Sequence, residues 1–247
     1  MGTNIFKIFV GLIYIYASQG AFGPPQNVDL SDLPYIVKMA GTNDEGFNGP
    51  LAVLSDFYAF GALSIVLPEN VPSDFIVYSD MLAATRKQHP PSKLYMLNDG
   101  LLVIKVCEPF LGIPRMSLDF GEFHSFNNVQ VAGNLIYYDN NTLKSVTTVV
   151  HTYNECDALL GALSLTYNSS YQICSPAENS TNAMSFVTST AGVFYNTFLL
   201  VVDKQVEGIP TYINHEATNL ALVHPIKYSN VQRFIDVIAS AADVDLM

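Results

Sequence analysis

The chain has 247 residues, with 11 Lys+Arg against 22 Asp+Glu, giving a formal net charge of −11 and a pI of about 4.6. An acidic surface with so few cations repels polyphosphate, which argues against nucleic acid as a partner. Tryptophan is absent while Tyr and Phe number 14 and 15, so aromatic packing falls to those rings.

Residues 1–20 read as a secretory signal peptide. Lys7 precedes the apolar run IFVGLIYIYA, and the small residues Ala17, Ser18, Gly20 and Ala21 follow, so cleavage is expected near Gly20. The alternative reading is an N-terminal membrane anchor. No later run reaches the roughly 18 apolar residues a spanning helix needs, so the mature chain is expected to be luminal or extracellular. The length of the remaining chain fits one sizeable β domain or two small ones, and residues 21–247 are expected to form a single β-rich domain.

After the leader AFGPPQ, short β-like runs alternate with turn clusters. Strands are expected over 35–39, 57–66, 75–78, 93–97, 101–107, 129–138, 146–153, 163–167, 184–188, 193–203 and 211–213. Breakers such as PENVPS, HPPS and SPAENSTN separate them. Many short strands between turns indicate an antiparallel sandwich or barrel. In SKLYMLNDGLLVIKVCEPFLG, Asp99-Gly100 lies between two apolar runs and predicts a hairpin whose return strand delivers Cys107. At the end, SNVQRFIDVIASAA places Val231, Phe234, Ile235, Ile238 and Ala242 on one helical face. Ser229 and Gln232 offer a capping box, so an amphipathic helix docked on the sheet is expected over 229–242.

Three Asn-x-Ser/Thr triplets begin at Asn140, Asn168 and Asn179, which are the expected glycosylation sites of an exported chain. Three cysteines allow one intrachain disulfide. Cys156 and Cys174, both in polar, turn-rich sequence, are the preferred pair; a 107–156 bridge is the alternative. Cys107, after an apolar strand, is then expected as a buried thiol.

Chemistry is hard to find in the pattern. His215-Glu216 begins a zinc-protease motif, but Asn219 stands where the second imidazole is needed. No Gly-x-Ser-x-Gly elbow, phosphate-binding glycine loop or Cys-x-x-Cys occurs. His89, His124, His151, His215 and His224 are scattered. A Cys107/His151 dyad is conceivable but disfavoured, and the spacing of Asp119 and Glu122 does not define a glycosidase pair. Arg86, Lys87, His89 and Lys93 beside Pro90-Pro91 read as a solvated loop. No catalytic residue, metal ligand or cofactor site is assigned, and the chain is expected not to be an enzyme.

The stretch Val103-Ile104-Lys105-Val106-Cys107-Glu108, followed by Pro109-Phe110-Leu111-Gly112, resembles a strand of the coronavirus spike glycoprotein, in the N-terminal domain of its receptor-binding subunit. Ala40-Gly41-Thr42-Asn43, Phe47-Asn48-Gly49-Pro50 and Asp56-Phe57-Tyr58-Ala59-Phe60 resemble an earlier block of that domain. Leu135-Ile136-Tyr137-Tyr138, Asn140-Asn141-Thr142 and Cys156 resemble its late hairpin. The chain departs from that pattern in lacking a second cysteine soon after Cys107, and no receptor or sialic-acid residue maps onto it. The resemblance implies a galectin-like antiparallel β-sandwich. It also implies a non-catalytic attachment role, with a host cell-surface glycan or protein receptor as partner, on the virion surface or secreted, and a homo-oligomer if part of a spike. The alternative function is a secreted, lipocalin-like barrel carrying a small apolar ligand.

Overall fold

The computed structural model describes residues 25–41, 47–62, 75–80, 86–96, 101–117, 126, 129–139, 141–162, 173–176, 195–214 and 220–226. The first half supplies β1 (Gln26–Asn27), β2 (Ile36–Gly41), β3 (Phe47–Val53), β4 (Tyr58–Ala62), β5 (Phe75–Ser79), β6 (Lys87–His89), β7 (Pro91–Met96) and β8 (Leu101–Val106). The second supplies β9 (Val131–Asp139), β10 (Thr142–Val150), helix α1 (Tyr153–Ala162), β11 (Ile173–Pro176) and β12 (Tyr195–Asn196). It ends with β13 (Leu199–Val202), β14 (Gln205–Asn214) and β15 (Leu220–Pro225).

These strands form two sheets, almost wholly antiparallel. One runs β6-β5-β2-β3-β4-β8-β7, and β12 adds to β3 in parallel. The other runs β1-β10-β9-β13-β14-β15-β11. Each sheet curls back on itself. In the first, the edge strands β6 and β7 are separated only by residue 90, so both edges belong to one continuous stretch. In the second, β11 returns to the end of β10, where the His151 amide donates to the Cys174 carbonyl at 3.0 Å and the Ser175 hydroxyl to the Val149 carbonyl. Closure of this kind removes the exposed strand edges on which aggregation begins.

The apolar runs explain how two such barrels pack. Side chains alternate between the faces of a strand, so an uninterrupted apolar run must be buried on both. In β8, Leu101 and Val103 face one cluster while Leu102, Ile104 and Val106 face another. In β9, Ile136 and Tyr138 join the first of these, and Leu135 and Tyr137 a third. β13 divides in the same way, Leu199 and Val201 against Leu200 and Val202. The result is one core inside each barrel and a third in the seam between them. Leu135, Ile136, Tyr137 and Tyr138 are each 0–1% exposed, and burial of such side chains contributes about 1.5–3 kcal/mol apiece.

The mainly antiparallel β architecture is as the sequence indicates, and β7 pairs with β8 as the Asp-Gly hairpin predicts. The galectin-like sandwich is corrected: a sandwich shares one core between two inner faces, whereas here each sheet encloses its own. β3 and β11 lie where no strand is expected, and α1 begins where the expected strand 146–153 ends. The expected strands 163–167 and 184–188, the helix 229–242 and the signal peptide 1–20 lie outside the described residues.

Candidate functional site

Among the described residues, groups from both barrels converge at the seam. The segment before β2 sews it shut. β1 pairs with β10, the Val28 amide donates to the Leu143 carbonyl, and Leu33, Tyr35 and Ile36 then enter the seam cluster. The β13–β14 hairpin turns on Asp203 and Lys204, both at positive φ (48° and 65°), the geometry a two-residue hairpin turn demands. The turn is clamped from the other barrel's side: the Tyr35 hydroxyl donates to the Lys204 carbonyl at 2.6 Å, and Lys204 Nζ meets Asp32 at 2.5 Å. Burial pushes the Tyr35 phenol well above its ordinary value, so it remains a donor.

Two further contacts cross the seam. Lys38 of β2 is 1% exposed, donates to Asn141 Oδ1 at 2.9 Å and lies 6.0 Å from the Tyr138 ring centroid. The chain before β13 pairs Tyr195 and Asn196 with Phe47 and Asn48 of β3. That approach requires Gly49. A Cβ there would stand 1.8 Å from Thr197 Oγ1, so a side chain at 49 would push the crossing strand away.

Two histidine side chains are described, and neither faces a carboxylate across a hydrogen bond. His89 Nε2 lies 2.8 Å from Ser79 Oγ and its Nδ1 lies 2.9 Å from the Glu108 carbonyl, all inside the first barrel. His89 therefore belongs to a packed β6, which corrects the solvated-loop reading of Arg86–Lys93. His151 follows β10, and burial lowers its basicity while the nearby Glu155 carboxylate opposes that. Among the described residues no Ser, His and carboxylate form the three-membered chain that activates a serine nucleophile. Nor does any group of three His, Cys, Asp or Glu there suit a metal ion.

Cys156 and Cys174 form a disulfide, the pair the sequence favours, tying α1 to β11. Cys107 is exposed just past β8, not buried, because the apolar alternation stops at Val106. The imagined Cys107/His151 dyad is split between the two sheets: the Cys107 amide donates to Pro90, and the His151 amide to Cys174. Asn140, Asn168, Asn179, Asp119, Glu122, His215 and Glu216 lie outside the described residues. No described helix is long and apolar enough to cross a membrane.

Sequence reading missed α1 and the Ser79–His89 pair. The helix carries a legible signal: Thr152 and Glu155 form a reciprocal capping box, with Thr152 N and Oγ1 donating to Glu155 Oε2 and the Glu155 amide turned to Thr152 Oγ1. The Ser–His pair has none, since ten residues separate partners that meet only through strand register.

The two curled antiparallel sheets and the apolar seam between them place the chain among structures with a trypsin-like serine protease fold. The solved structures agree. The chain is similar to the scabies mite inactivated protease paralogue S-D1, at TM-score 0.63 and 14% identity, over 87% of this chain and 96% of that one. It is similar also to the scabies mite inactivated paralogue S-I1, at TM-score 0.59 and 16% identity, over 88% and 100% of the two chains. A third similar structure is the Vibrio cholerae VesB protease, at TM-score 0.58 and 10% identity, covering 83% of this chain and 64% of that one. No family model and no curated protein matches the sequence. These likenesses overturn the expected functions, both the attachment domain and the lipocalin-like carrier: the similar structures have a trypsin-like serine protease fold, inactivated paralogues among them. They equally overturn the expectation that the chain is not an enzyme, since the fold is shared with a protease.

Proposed function

We propose that this chain is an exported protein that engages extended polypeptide segments at the seam between its barrels. The observation that carries the reading is its likeness, over more than four-fifths of its length, to the Vibrio cholerae VesB protease and to two scabies mite inactivated protease paralogues. The seam itself supports it, because β12 already docks there as an extended strand on β3. Added backbone of this kind is a general mode of peptide recognition. Export is supported by the Cys156–Cys174 disulfide, which persists in oxidising compartments, and by the leader-like residues 1–20.

The likeness to the Vibrio cholerae protease favours a second reading, in which the bound segment is hydrolysed. The test reads both. The full chain is incubated with a positional-scanning peptide library, followed by fluorescence anisotropy for binding and by mass spectrometry for new termini. Saturable binding of extended peptides is expected. Cleavage products would add the hydrolytic step, and a library neither bound nor cut would overturn the proposal.

A further inference from the structure

We propose that His89 is an acid-released latch holding the connector that leaves β8 against the first barrel. The idea stands apart from peptide engagement and rests on local geometry. His89 is 0% exposed and sits at the end of β6. A carbonyl oxygen can only accept, so Nδ1, 2.9 Å from the Glu108 carbonyl, carries the ring proton. Nε2 then accepts from the Ser79 hydroxyl, 2.8 Å away on β5. The ring also packs on Phe110, with centroids 4.6 Å apart. One neutral imidazole thus joins β5, β6 and residues 108–110.

Other contacts also hold the connector 107–117. The Cys107 amide donates to Pro90, Lys87 Nζ to the Pro109 carbonyl, the Phe110 amide to Asp56 and the Met116 amide to Val53. Arg115 pairs with Asp56 at the surface. Met116 enters the seam cluster, so loosening this connector reaches the contact between barrels. The ionisable groups facing His89 are Lys87 on its own strand, Asp80 at the end of β5 and Glu108 on the connector. Burial is the largest influence, and with Lys87 it outweighs the Glu108 carbonyl and the two carboxylates, leaving the ring harder to protonate than an ordinary histidine.

The sign follows from linkage. The opened state, with His89 in water, takes up its proton near 6.5, while the latched state resists it to lower pH. Latching is therefore at full strength above pH 6.5 and is lost as pH falls through the window below, by up to about tenfold in the opening equilibrium per pH unit.

The experiment is amide hydrogen exchange on the full chain between pH 7.5 and 4.5, corrected for intrinsic exchange, compared with His89→Gln, which stays neutral. The wild type should show up to about tenfold faster relative opening at Cys107 and Phe110 per pH unit below 6.5, and the variant a flat profile. Parallel slopes in the two proteins would overturn the latch. An NMR titration of the wild-type His89 ring tests it without a variant. Its protonation should coincide with the loss of protection at Cys107 and Phe110; a ring that titrates with those amides unchanged would overturn the proposal too.

Discussion

Tyr138 sits in β9 at 0% exposure with a hydroxyl that finds no hydrogen-bond partner among the described residues, beneath the buried ammonium of Lys38. Burying an unpaired hydroxyl costs about 1–3 kcal/mol, while the ring that faces Lys38 does not depend on it. Tyr138→Phe should therefore leave stability unchanged or raise it by about 1 kcal/mol, measured by urea unfolding. A loss of more than about 1 kcal/mol would show that the hydroxyl has a partner. Single residues were unevenly legible. The disulfide pair could be chosen from local polarity, because turn-rich sequence marks strand and helix ends. Cys107 is expected buried yet lies exposed, since a strand's last apolar residue and the first residue beyond it look alike in sequence. His89 was misplaced because a basic, proline-flanked run resembles a loop, and only register with β5 shows that its ring turns inward.

Among elements, β8 and β9 show what hydrophobic pattern can and cannot reveal. Their continuous apolar runs correctly announce strands buried on both faces. The same runs are silent on what covers each face, so the pattern leaves sandwich and barrel open, and the galectin-like sandwich rests on the resemblance alone. The strand β3 holds Gly49 and Pro50, residues that usually interrupt strands and hide it in the sequence; here Gly49 permits the close approach of Thr197. At α1 the fold relies on a covalent tie. The disulfide to β11 closes a loop between positions 18 apart, and removing it releases denatured-state entropy worth about 3 kcal/mol. For a protein of this size, reduction should lower Tm by roughly 6–12 °C, read by calorimetry with Cys107→Ala as background. An unchanged Tm would mean that the cap at Thr152 and the packing of Cys156 and Leu160 already hold the helix.

The molecule as a whole is two self-enclosed cores joined by a third, stitched by the segment before β2 and by the β13–β14 turn. The antiparallel β class was readable from strand length and turn spacing. The pairing of distant strands was not, because barrel closure is decided by contacts such as β12 on β3 that join residues some 150 positions apart. The functional claim lives at this scale, since the seam exists only when both barrels are formed. Its most direct test is amide exchange of the full chain with and without a peptide recovered from the library. New protection should concentrate at Phe47–Asn48 and Tyr195–Asn196, where the barrels already pair extended backbone. Protection confined to the outer strands β6 or β11, with none at the seam, would contradict the account.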